Sequence, residues 1–147
     1  MTTCFMIPGK PIGKARPRVN TYTHRAYTPP ATKNYEATVR SSYMNAAPPG
    51  ERLHTGPVRV QIMAYYPIPK SWNKARKRAA MAGETRPEVK PDLDNCAKAI
   101  LDALNGLAYE DDASVTDLTI HKRYAEIGHV IVRIESGEGV AECRTES

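Results

Sequence analysis

Two periods organise the apolar residues of this chain. Around residues 58–66, Val58, Val60, Ile62, Ala64 and Tyr66 alternate with Arg59, Gln61, Met63 and Tyr65. That period of two predicts a half-buried strand over Pro57–Pro67. Over Leu93–Leu104 the apolar residues are Leu93, Ala97, Ile100, Leu101 and Leu104, one stripe of a helix, with Gly106 near its end. Tyr35, Val39 and Tyr43 recur every four residues and predict a helix over Ala31–Ala46, stopped by Pro48-Pro49-Gly50. Thr2–Ile7 reads as a short strand ended by Pro8-Gly9, and Ser71–Gly83 as a helix with Ser71 as N-cap. Two further strand-like runs, Ser114–Tyr124 and His129–Ile134, are joined by a short turn through Gly128 and predict a β-hairpin.

Between these elements the pattern fails in an informative way. Residues 8–30 contain no acid and are punctuated throughout by Pro, Gly and basic side chains, which forbids a continuous helix or central strand. They are expected to form an extended basic loop or arm. Residues 136–147 are rich in Gly and Glu and are expected to be a flexible tail after a single domain over 1–135.

Length and charge narrow the class. At 147 residues, 41% hydrophobic and 25% charged, the chain suits one ordinary globular domain. Residues 1–83 carry 14 Lys/Arg against Glu36 and Glu51 alone, a net of +12; residues 84–147 carry 7 Lys/Arg against 14 acids, a net of −7. That asymmetry predicts a basic surface for a polyanion beside a separate acidic focus. Three scattered cysteines, at 4, 96 and 143, rule out a disulfide framework, and the four histidines show no zinc-ligand spacing with them. No apolar run reaches the length of a membrane span, and a reduced, cytoplasmic setting is expected.

The acids concentrate at Pro91-Asp92-Leu93-Asp94-Asn95 and at Glu110-Asp111-Asp112. Residues two apart on a helix point about 200° away from one another, so Asp92 and Asp94 converge only if the helix begins between them. Asp92 then serves as N-cap, Asp94 stands in the first turn, and Lys98 follows one turn later. Two readings stay open here. In one, these are caps and an Asp94–Lys98–Asp102 surface ladder. In the other, the second acidic group returns beside that helix start, and the gathered carboxylates hold a hard cation such as Mg²⁺ for phosphodiester hydrolysis. The basic half supplies a complement. Lys10, Lys14, Arg16, Arg18 and Arg25 interleave with Tyr22 and Tyr27, and Lys74, Arg76, Lys77 and Arg78 form a second run, a mixture suited to DNA phosphates and exposed bases.

Taken together, GKARPR (13–18), Tyr27-Thr28-Pro29, KPDLDNCAKAILDALNG (90–106) and YEDDASV (109–115) resemble the RusA family of Holliday junction resolvases, often found in phages and prophages. The resemblance runs from about Phe5 to Ile134. It implies an α+β homodimer, a single small domain with a mixed β-sheet packed with helices, that cuts four-way DNA junctions using Mg²⁺ or Mn²⁺. Carried over by position, it assigns catalysis and metal binding to Asp92, Asp94 and Asp112, with Asp111 as an alternative ligand, and a phosphate-directed role to Lys98. Asn95 is expected to be a structural cap and Tyr109 a core residue. Ahead of the DLDN string, an arginine-rich stretch of the best-known member is replaced by Val89-Lys90-Pro91, leaving Lys90 as the positive group, and residues 68–90 are longer and more basic than in the shortest members. A metal-dependent nuclease on another nucleic acid, and a non-catalytic DNA-binding protein, are the competing readings.

Overall fold

The computed structural model describes residues 1–15, 18–50 and 53–137. Their architecture is α+β, one small domain built on a mixed four-stranded sheet. In chain order the elements are β1 (Thr2–Pro8), β2 (Arg18–Val19), β3 (Ala26–Tyr27), α1 (Pro30–Ala46), β4 (Val58–Pro67), α2 (Lys74–Met81), α3 (Leu93–Leu104), β5 (Val115–Ala125) and β6 (His129–Ser136). The strand order is β1-β6-β4-β5, with β4 parallel to β5 and antiparallel to β6.

α1 and α3 pack on one face of this sheet. Inward residues Phe5, Ile7, Val60, Ile62, Val132 and Ile134 meet Tyr35, Val39 and Tyr43 of α1 and Ile100 and Leu104 of α3 in one apolar cluster. Burying a side chain of this kind contributes about 1.5–3 kcal/mol, which is why the apolar stripes located the helices so well. α3 spans the predicted Leu93–Leu104, and α1 begins one residue early because Pro30 suits a first helical turn. On the opposite face Met63, Tyr65 and Ile131 are half-buried and Met6 is 58% exposed; no helix among the described residues covers them.

The expected β5–β6 hairpin is not formed. β4 lies between the two strands, pairing Ile62 with Ile120 on one side and with Val132 on the other. Residues 126–128 therefore cross the end of β4 instead of making a tight turn. Gly128 is required there by proximity: a Cβ would lie 2.8 Å from the Lys10 Cα and 3.0 Å from the Pro67 Cδ. Periodicity identified both strands but carries no record of which edges meet.

Two smaller expectations also change. Helix α2 is capped by Asn73, not Ser71; the Asn73 carboxamide oxygen accepts from the Arg76 backbone N–H at 2.9 Å. Ser71 is used up in a turn closed by the Trp72 N–H to the Pro69 carbonyl at 3.2 Å. The basic arm is not featureless, because β2 and β3 pair as a small hairpin. Its turn is held by Asn20, whose Oδ1 accepts from the Tyr22 and Thr23 backbone N–H groups at 2.8 and 3.2 Å. β6 runs on through Ser136, which is buried, and residues 138–147 of the expected tail lie outside the described residues.

Candidate active site

Asp92 stands immediately before α3 in extended conformation (φ −67°, ψ 156°), as a helix N-cap does. Its carboxylate nevertheless makes no capping hydrogen bond, and Asp94 in the first turn is exposed. Among the described residues neither forms an ion pair. The segment leading into them is held firmly by its backbone. The Tyr66 hydroxyl, from the helix-facing side of β4, donates to the Pro91 carbonyl at 2.6 Å. Lys122 of β5 donates to the Val89 carbonyl at 2.7 Å. Burial pushes the Tyr66 hydroxyl far above the ordinary phenol range, so it remains a donor at any working pH.

The arm closes over the same helix start. The Lys14 backbone N–H donates to the Asn95 carbonyl at 3.1 Å, and a Cβ on Gly13 would come within 2.8 Å of the Pro91 Cβ. Only glycine allows this approach. Asn95 thus anchors the arm through its main chain and does not cap the helix. The result is an open cleft of ≈ 370 Å³ lined by Asp92 together with Lys10, Lys14 and Lys90.

The second acidic group takes a different place. Asp111 and Asp112 precede β5, beside the C-terminal half of α3, where the Tyr109 hydroxyl donates to the Leu101 carbonyl at 2.7 Å. Asp112 is held above the usual carboxylate range by its hydrogen bond with Asp111, and by the negative charges of Asp111 and Asp102. Asp94 and Asp102 are eight residues apart on α3, about 12 Å along its axis. The return of Asp112 to the helix start, expected from the sequence, is therefore not seen. Among the described residues no three Asp, Glu, His or Cys side chains gather closely enough to hold an ion.

Two separate carboxylate pairs still fit a hard cation. Mg²⁺ is usually held by one or two carboxylates, with waters and substrate phosphate filling the remaining positions. The uncapped Asp92 oxygens and the hydrogen-bonded Asp111–Asp112 pair are donor sets of that kind.

The remaining predicted residues divide by environment. Lys98 is exposed, one turn beyond Asp94, and Arg18, Arg25, Lys74, Arg76 and Arg78 are exposed as well, with Lys77 half-buried. Arg16 lies outside the described residues. Lys14 is already engaged: its Nζ lies 2.6 Å from Glu36 Oε1 and 3.3 Å from Asp102 Oδ2. The hydrogen bond to Glu36 raises its pKa against the opposing effect of burial. Tyr109 is fully buried, as expected of a core residue. Sequence reasoning passed over Glu36, Tyr66 and Lys122. Glu36 alone carried a usable signal, being one of two acids in the basic half.

Comparison with known proteins agrees with this frame. "Uncharacterized protein YqaN" of Bacillus subtilis (strain 168) is 37% identical over 137 residues, covering 88% of this chain and 93% of that protein. The family model described as endodeoxyribonuclease RusA matches residues 8–135, from the start of the arm to the penultimate residue of β6. That span takes in the pinned helix start and both acidic pairs, and the chain belongs to the RusA family of endodeoxyribonucleases.

Proposed function

We propose that this protein is a Mg²⁺-dependent, structure-selective endonuclease that resolves four-way DNA junctions in recombination and repair. The observation that carries this reading is the cleft at the start of α3, whose lining brings Asp92 together with Lys10 and Lys90. A phosphodiester is anionic and its hydrolysis develops further negative charge, so a cationic seat beside free carboxylates matches both needs. Asp92 and Asp94 would hold a divalent ion, with Asp112 and Asp111 as the second acidic group. When bound, the ion supplies an activated water and neutralises charge on the phosphate. Lys10 and Lys90 seat the DNA backbone. Lys98, exposed beside Asp94, steadies the phosphate at the cut. Tyr66 and Lys122 fix the approach of the chain to Asp92 and so hold its oxygens in place.

The half-exposed sheet face formed by Met6, Met63, Tyr65 and Ile131 is the surface we assign to a homodimer, since paired cuts on a two-fold junction suit a two-fold enzyme. Equilibrium sedimentation should give twice the chain mass at micromolar concentration; a single-chain mass would refute the dimer.

The decisive experiment compares a four-way junction with matched linear duplex, in Mg²⁺ and in EDTA. Paired nicks on the junction in Mg²⁺, with binding but no cutting in EDTA, are expected. Equal cutting of both DNAs would point to a nuclease of another substrate range. Binding without cutting in either condition would leave a DNA-binding protein whose acids are caps and solvated charge.

A further inference from the structure

A second cleft, ≈ 420 Å³, lies between the segment carrying α2 and the ends of β4 and β5. Three aromatic rings, Tyr66, Trp72 and Tyr124, line it among prolines. Trp72 and Tyr124 meet edge to face, ring centroids 5.2 Å apart and planes at 68°. The Arg76 guanidinium lies 3.9 Å from the centroid of the Trp72 ring and braces it. Lys10 and Lys90 border the cleft, and both also border the cleft at Asp92. A single strip of chain, ending at Pro91 one residue before Asp92, thus separates an aromatic slot from the acidic site.

These features describe one ligand chemistry. Flat apolar walls suit a planar ring, and the cations at the rim suit an anionic group attached to it on either side. DNA joins the two as a base flanked by phosphates. A base can enter only when unstacked, and a branch point supplies such bases at lower cost than a continuous duplex does. The volume falls within the range of small-ligand pockets. An acidic protein side chain would pair with Lys10 or Lys90 at the mouth but leave the aromatic slot empty, so it accounts for only part of the site.

We propose that this cleft receives one unstacked nucleobase next to the phosphate held at Asp92, and that Trp72 and Tyr124 thereby help set where along the strand the cut falls. The proposal rests on the nuclease reading above. It also gives the long segment between β4 and α3 a purpose, since that segment carries Trp72, Arg76 and Lys90.

Trp72 is the protein's one tryptophan, so its fluorescence reports the slot directly. Titration with a four-way junction in EDTA, with bound fraction followed by gel mobility, should quench Trp72 in step with binding. Fully paired duplex at equal saturation should quench it much less. Tyr124→Leu should reduce the quenching, weaken junction binding about 10-fold, and in Mg²⁺ redistribute the cut positions. A junction that is bound and cut while Trp72 fluorescence stays unchanged would overturn the slot and leave the nuclease intact. Quenching without cutting in Mg²⁺ would support the slot and overturn the nuclease. Absence of both binding and cutting would overturn the two together.

Discussion

The two ends of α3 are built alike and charged alike, yet they differ in what the charge meets. At each end a buried tyrosine hydroxyl donates to a backbone carbonyl, Tyr66 to Pro91 at the start and Tyr109 to Leu101 near the finish. Each end also carries a group of acids. At the start the positive end of the helix dipole favours Asp92 and Asp94, and lysines line the same cleft as Asp92. Near the finish the dipole is unfavourable. There Asp102 is offset by Lys14, and Asp112 is relieved by its hydrogen bond with Asp111. Carboxylates at the start are free to take a ligand because the backbone already stabilises them. Those at the finish are hydrogen-bonded to one another and would exchange that bond for a cation.

The largest effect should come from charge removal at either end. Asp94→Asn and Asp112→Asn should each lower cleavage of junction DNA by about 100-fold or more in Mg²⁺, while binding in EDTA holds. Their stabilities should then part. Asp112→Asn removes one of two facing carboxylates and should raise the melting temperature in EDTA. Asp94→Asn gives up a favourable dipole contact and should cost about 0.3–1 kcal/mol. Equal shifts in both melts would abolish the distinction between the ends.

The paired tyrosines sharpen it. Tyr66→Phe and Tyr109→Phe should each destabilise the fold by about 1 kcal/mol, the usual worth of one such hydrogen bond. Tyr66→Phe should slow cleavage at saturating DNA more than Tyr109→Phe, because only the Tyr66 hydroxyl fixes the chain beside Asp92. An equal fall in rate for Tyr109→Phe would show that both ends position chemistry alike.

Acid should act from the far end. His54 is 1% exposed, its ring nitrogens lie 2.9 Å from Thr3 Oγ1 and 2.6 Å from Ser136 Oγ, and its backbone bridges to Tyr109. Burial lowers its pKa, and the Met1 ammonium lowers it further. The neutral ring is therefore favoured in the fold, and unfolding takes up a proton once pH falls below the unfolded value of about 6.5. Stability from this group is complete above that pH and is lost as pH drops toward the depressed native value. Melting temperature should fall from about pH 7 to pH 5, and less steeply in His54→Gln. Parallel curves for the two proteins would exclude His54 as the cause.

The smallest effect concerns the arm. Arg25 is exposed, and Arg25→Ala should lower the salt-dependence slope of DNA binding by up to about 0.9. Lys14→Ala should change it less, since Glu36 and Asp102 already compensate that charge, and should instead cost about 0.5 kcal/mol of stability. Equal slope changes would mean that DNA displaces both acids from Lys14.

What could be read from the chain follows the range of the interaction. α3 was legible at both bounds because its apolar stripe repeats within 12 residues and Pro91 and Gly106 punctuate it. The Asp92–Asp94 pair came with it, being fixed by the helix start. Lys14 looked like a free DNA contact because Glu36 lies 22 residues away on another element. Trp72 and Tyr124 meet only because α2 is laid against β5, and nothing near either residue announces the other. Asp112 was placed beside the helix start because its chain returns toward α3, and the sequence does not say to which end. Strand neighbours were hidden for the same reason.

That hidden order has a consequence for how the molecule comes together. Among the described residues no two strands joined by a tight turn are paired in the main sheet, and Thr2 finds its partner at Glu135. Pairing at such separations must close long loops before any contact repays the lost chain entropy, which slows folding. During synthesis β1 and the inner edge of β4 stand open until the final strand leaves the ribosome. β6 then fills both vacancies in one step, so a chain halted before His129 keeps its aspartates and its arm but leaves β1 without a partner and β4 with only one.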